Sequence, residues 1–276
     1  AKTPHLSSPL TQIGSEDWQE EELEAQGGSS QKPGIGFQLS EVSLLLPDGT
    51  IILDSVSLVI PPGSTVAIMG PSGCGKSSIT NVLSGRAGYG VVKGRVSINN
   101  ELRPIRELRG VTGFVPQDDV MHRNLTVEEN VRFQAELRLP RQDVCSNIAE
   151  RGRQVSQTTD EVLKKLGLDD GKLRRTLIGD ENVRGVSGGQ RKRVSIAMEF
   201  VARPSLLFLD EPTSGLDSTT SHSVVDVFTK AAKSSHCTTI AVVHQPRYET
   251  LCLFDRLVLL AAGGFLVYSG RVNDLE

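Results

Sequence analysis

The segment Gly70-Pro71-Ser72-Gly73-Cys74-Gly75-Lys76-Ser77-Ser78 follows a short run of β-forming apolar residues at 65–69 and opens a helix-like stretch over 77–83. A glycine-rich turn between strand and helix leaves backbone N–H groups free to surround an anion at a helix N-terminus. A Cβ at the glycines would block both the turn and the close approach. The spacing lets Lys76 reach the β- and γ-phosphates of a nucleoside triphosphate and gives Ser77 a hydroxyl for Mg²⁺. Residues 70–78 are therefore read as a nucleotide-binding loop, and the chain as an α/β fold with a P-loop NTPase core.

A second apolar run, 205–209, ends in Asp210 and Glu211. Its unbroken apolar character fits a central parallel strand covered on both faces. Ligands of such sheets sit at the carboxyl ends of the strands. Asp210 is thereby a candidate for the metal's shell, and Glu211 for the base that polarises a water toward the γ-phosphate.

Further motifs stand in a fixed order. Gln117 follows Gly113-Phe114-Val115-Pro116; Ser187-Gly188-Gly189-Gln190 opens a helical stretch; Ser214-Gly215-Leu216-Asp217 follows the acidic strand end; and His244 follows the apolar run 239–243. Together with the phosphate loop they resemble the nucleotide-binding domain of ABC transporters from about Phe37 onward. The runs 179–193 and 210–218, and His244-Gln245-Pro246-Arg247, resemble the G subfamily, the white or pleiotropic-drug-resistance type. Gln190 departs from it, since many members carry Glu there.

The resemblance implies ATP and Mg²⁺ as ligands, and a head-to-tail dimer, homo- or heteromeric, with two ATP molecules at the interface. Ser187, Gly188, Gly189 and Gln190 would face the γ-phosphate held on the partner's loop. His244 would position Glu211 and the water. Gln117 would reach the metal, with Ser77 and Asp210, or the water, and sense the segment after it. Asp217 would connect the two sites across the interface, besides N-capping the next helix. A transmembrane domain, C-terminal on the full-length protein, would carry lipid-, sterol- or xenobiotic-like substrates, and the ATPase would sit on the cytosolic face of the membrane. A soluble ATPase or a separate importer subunit is the alternative. The aromatic that the family stacks on adenine is replaced by an aliphatic residue, Leu46, which predicts weaker ATP affinity and poor base discrimination; Phe37 is a second candidate for that contact.

The remaining sequence agrees with one folded unit. Residues 1–36 are Ser-, Gly- and Glu-rich and are expected to be a disordered tail, with the ATP-binding domain at 37–276. Pro47-Asp48-Gly49-Thr50 signals a hairpin in an N-terminal antiparallel subdomain. Helical patterns at 127–137 and 155–166 belong to an inserted helical subdomain at about 118–203. The run 257–268 reads as a closing β-hairpin. A net charge of −3 does not point to nucleic acid as a partner. Cys74, Cys145, Cys237 and Cys252 show no metal or redox spacing, and Cys74 inside the loop predicts thiol sensitivity. No apolar stretch reaches the roughly 20 residues that span a bilayer.

Overall fold

The computed structural model describes residues 34–139, 148–180 and 183–275. Alternating apolar residues bring β1 (Phe37–Leu45) and β2 (Ile51–Ile60) together as an antiparallel hairpin. In its turn Gly49 takes a φ of 86° and the Thr50 amide donates to Asp48 Oδ1 at 2.9 Å, the local bond that makes Asp a turn former. β4 (Val91–Ile98) pairs with the other side of β1. This third strand gives no alternation in the sequence because residues 91–95 are all exposed.

The folded region begins before Phe37. Residues 34–36, assigned to the tail on composition, are buried, with the Ile35 amide donating to Thr238 Oγ1 at 3.1 Å and the Gly36 amide to Asn99 Oδ1 at 2.6 Å. Composition misplaces this edge because its partners lie far along the chain. The rest of the expected tail, residues 1–33, lies outside the described residues, as do Cys145, Glu181 and Asn182.

The main sheet comprises β3 (Thr65–Met69), β5 (Thr112–Val115), β6 (Leu206–Asp210), β7 (Thr238–Val242), β8 (Arg256–Ala261) and β9 (Phe265–Arg271), in the order β5-β6-β7-β3-β8-β9. The first five strands in that order are parallel; β9 returns antiparallel to β8 as the expected hairpin. The helices are α1 (Lys76–Leu83), α2 (Val127–Arg138), α3 (Ile148–Lys165), α4 (Gly171–Arg174), α5 (Gly188–Phe200), α6 (Ser218–Ser234) and α7 (Tyr248–Leu251). Val66, Ile68, Phe208 and Val242 pack with α1 and the antiparallel sheet, while Ala67, Leu207, Leu209 and Ala241 pack with the helices. Strands covered on both faces are why β3, β6 and β7 read as unbroken apolar runs.

α3 starts seven residues before the apolar pattern at 155, because residues 148–154 bury no side chain. α2 opens in a capping box, with the Thr126 hydroxyl accepting from the Glu129 amide and the Glu129 carboxylate accepting from the Thr126 amide. At the sheet edge, the Phe114 amide donates to Glu199 Oε2 at 3.1 Å, and Glu199 pairs with Arg138 at 2.7 Å. α5 thus satisfies an edge N–H that would otherwise lie open.

Candidate active site

Strand register assembles the site. Ile68 pairs with Val242, Val242 with Asp210, and Val115 with Leu209. The residues leaving these strands, Gly70, Gln117, Glu211 and His244, therefore emerge together at the carboxyl ends of neighbouring strands about 4.8 Å apart. Four segments separated by up to 174 positions in sequence reach one place only because their strands are parallel.

The phosphate loop connects β3 to α1. Gly75 stands at the N-cap with φ 94°, and a Cβ there would lie 2.9 Å from Leu53 Cδ2 and 3.0 Å from the Ile52 carbonyl oxygen, so backbone conformation and space both require glycine. α2, α5 and α6 are capped by Thr126, Ser187 and Asp217, but α1 has no side-chain cap and no acidic residue in its first turn. Its N-terminal amides are left for an anion. Lys76 is buried, and its Nζ donates to the Gly70 and Pro71 carbonyl oxygens at 3.0 and 2.8 Å. Pro71, Ser72, Gly73 and Ser77 are exposed, and Ser78 is half-buried. Cys74 is 1% exposed and packs in the apolar cluster, which corrects the expectation of thiol sensitivity: a reagent reaches it only if the loop opens.

Burial pushes the Asp210 carboxyl above its ordinary range, the charge of Glu211 adds to that, and Lys76 and the Ser77 hydroxyl partly offset it. Ionising Asp210 therefore costs free energy in the ligand-free fold. That cost is absent below the unfolded-state value and full above the raised folded-state value. Asp210→Asn is accordingly expected to raise the melting temperature near neutral pH, by less than about 3 °C because the site is partly solvated. The gain should vanish as the pH falls toward about 4; calorimetry at both pH values checks it.

Glu211 has a φ of 45°, a left-handed conformation rare outside glycine. Its amide donates to the Val242 carbonyl oxygen at 3.1 Å, and Gln117 Nε2 donates to its Oε2 at 3.0 Å. Gln117 and Glu211, 94 positions apart, thus form a direct pair. His244 is exposed just past β7, and Gln245 beside it has a φ of 44°.

Ser187, Gly188, Gly189 and Gln190 lie elsewhere, at the junction of α5 with α6. Ser187 and Gln190 close a capping box, the Ser187 amide donating to Gln190 Oε1 at 2.9 Å and the Gln190 amide to Ser187 Oγ at 3.3 Å. A Cβ on Gly189 would come within 2.4 Å of Thr220 Cγ2, so α5 approaches α6 closely through that glycine. Asp217 Oδ1 accepts from the Thr219 and Thr220 amides, both at 3.0 Å. The Thr220 hydroxyl and amide together hold its carboxyl below the usual range. Among the described residues no hydrogen bond joins this junction to the phosphate loop.

Several neighbours of the site have no motif. Lys192 and Asn130 hold the segment that follows Gln117. Tyr89 is exposed, its hydroxyl 3.5 Å from Ser78 Oγ. Phe37, in contrast, is fully buried and offers no ring to a ligand, whereas Leu46 is half-buried at the hairpin turn.

A phosphate loop on a parallel sheet, with an acidic pair at the end of a neighbouring strand, defines a P-loop ATPase domain. The ABC transporter family pattern matches residues 53–214. The chain is 38% identical to ABC transporter G family member 28 of Arabidopsis thaliana over 247 residues, covering 89% of this chain and 21% of that protein. Against the broad substrate specificity ATP-binding cassette transporter ABCG2 of Rattus norvegicus it is 40% identical over 225 residues, covering 82% and 32%. Its structure matches cbiO1 from Clostridium perfringens, described as part of the ABC transporter complex cbiONQ, with a TM-score of 0.70 and 25% identity over 87% of this chain and 89% of that one. This chain belongs to the ABC transporter family, as an ATP-binding, ATPase domain of the G-subfamily type. It spans about a fifth to a third of the length of these curated relatives.

Proposed function

We propose that this chain is the ATP-driven motor of a G-type half-transporter, working as a head-to-tail dimer on the cytosolic face of a membrane. The reading rests on two helix ends at different places in one chain, the uncapped N-terminus of α1 and the N-terminus of α5, which the family resemblance assigns to the partner's γ-phosphate. The open N-terminus of α1 lies with Glu211 and Gln117 at the carboxyl ends of the strands, while the Ser187-Gly188-Gly189 end of α5 lies at another junction. One chain therefore holds two halves that a second copy would complete.

Within the site, Lys76 and the loop amides bind the β- and γ-phosphates, Glu211 accepts the proton of the attacking water, and Gln117 and His244 orient the two. No group of three His, Cys, Asp or Glu suited to a metal occurs among the described residues. The donors present nevertheless fit Mg²⁺, which takes hard oxygens and fills the rest of its shell with phosphate and water. Burial chiefly, and after it the charge of Glu211, raise the Asp210 pKa, while the neighbouring Ser77 hydroxyl lowers it; a cation between them would offset the charge. Ser77, Asp210 and Gln117 would hold the ion, which neutralises phosphate charge when bound. The base would lie toward Leu46 and Tyr89.

No helix among the described residues is long and apolar enough to cross a membrane, so transport requires a membrane domain. Val120, 73% exposed in the segment after Gln117, and Phe133 and Leu137, exposed one turn apart on α2, are apolar side chains available to contact it. The substrate class proposed, lipid-, sterol- or xenobiotic-like, rests on the G-subfamily resemblance. The reading as a separate ATPase subunit draws on cbiO1, which this chain matches over nearly its whole length. The composite site is tested by dilution: ATPase activity per mole of chain is expected to fall as concentration is lowered. Activity proportional to concentration across the range would remove the dimer mechanism.

A further inference from the structure

Lys192 is the least expected side chain in α5. It sits between Arg191 and Arg193 in a basic run, yet it is 4% exposed. Its Nζ donates to the Gln117 carbonyl oxygen at 2.8 Å and pairs with Asp119 Oδ1 at 2.7 Å. Burying a lysine requires such partners, and both belong to the segment that leaves β5. The side chain of that same Gln117 donates to Glu211. Farther along the segment, Asn130 on α2 accepts from the His122 amide and donates to the His122 carbonyl oxygen, both at 3.0 Å. The segment is thus fixed at its start by α5 and near its end by α2, with exposed Val120 between.

We propose that Lys192 is a positioning residue that couples α5 to the catalytic carboxylate, through the Gln117 backbone and the Gln117–Glu211 hydrogen bond. The helix whose N-terminus is Ser187-Gly188-Gly189 then sets where Gln117 stands. A displacement of α5 when a phosphate meets its N-terminus moves the Gln117 amide relative to Glu211. Lys192 acts on alignment, not on phosphate binding: its hydrogen bond and ion pair are with the Gln117 segment, and among the described residues none joins it to the phosphate loop. The inference rests on the roles proposed above for Gln117 and Glu211.

The test is steady-state ATPase kinetics of the full chain for Lys192→Met, Asp119→Asn and Gln117→Ala, alone and combined. Lys192→Met is expected to lower kcat about tenfold, in line with the cost of misplacing a reacting group, with the KM for ATP changed less than twofold. Asp119→Asn keeps Lys192 and its bond to the Gln117 carbonyl, and should lower kcat by a smaller factor. Neither change should lower kcat further in the Gln117→Ala background, because the coupling is already cut there. A purely structural lysine would lower melting temperature and the active fraction equally in both backgrounds. Should Lys192→Met fail to fold, Asp119→Asn decides alone. Unchanged kcat in Asp119→Asn, or effects that multiply with Gln117→Ala, overturns the coupling. A Gln117→Ala chain with full kcat instead removes the role proposed for Gln117.

Discussion

Glu211→Gln is expected to lower ATP turnover at least about 100-fold, the low end of what a positioned general base contributes, while ATP binding persists. The substitution keeps the side chain's volume, and its amide oxygen can still accept from Gln117 Nε2, which now donates to Glu211 Oε2 at 3.0 Å. The left-handed backbone at φ 45° is already held by the Glu211 amide bond to Val242 and needs no carboxylate. What is lost is the negative oxygen that would take the proton from water. With hydrolysis stopped, the ATP-bound dimer should accumulate, seen as a doubling of mass by light scattering on adding Mg²⁺ and ATP. Turnover at the unmutated rate would mean that another group activates the water.

Lys76→Met comes next in size and acts one step earlier. Lys76 is buried and spans the loop through the Gly70 and Pro71 carbonyl oxygens, so its ammonium is already placed where phosphate charge would arrive. Removing it should abolish measurable hydrolysis and weaken ATP binding. The readout is the thermal shift on adding nucleotide. A ligand at 100 times its Kd stabilises by about 2.7 kcal/mol, a rise of several degrees for a domain of this size. That rise should largely disappear in the variant. The ligand-free melting temperature should change little, since Pro71 is exposed, Gly70 is half-buried, and water can replace both lost bonds. A full ATP-induced shift in Lys76→Met would place the triphosphate elsewhere.

The two variants separate binding from chemistry. Loss of the thermal shift with Lys76→Met, and its retention with Glu211→Gln, would assign the two residues to successive steps.

Much of the architecture was legible because its causes are local. β3 and the phosphate loop declare themselves through an apolar strand, glycines and a helix start; the hairpin turn through Asp48 and Gly49; α2 through Thr126 and Glu129. β4 was hidden because it buries so few side chains, and the first turns of α3 because they bury none. Lys192 lies in a basic run that carries no motif, and helical spacing places it on one face with Ser195 and Ile196, both buried. That spacing was the available signal. The sequence offered none for its partners, since Gln117 and Asp119 lie more than 70 positions away.

By itself, the sequence determined that this chain binds a nucleoside triphosphate on a strand-loop-helix unit, because glycine spacing, Lys76 and Ser77 act through backbone geometry within a few residues. It also fixed which carboxylates stand at a strand end, because burial on both faces leaves an apolar run that stops where the strand does. Only the tertiary structure decided that Gln117 touches Glu211, that Lys192 holds Gln117, and that the Ser187 helix end stands apart from the phosphate loop. Those outcomes depend on the parallel register of β5, β6, β7 and β3 and on how closely α5 packs. They are set by contacts between residues many positions apart, which leave no periodicity in the chain.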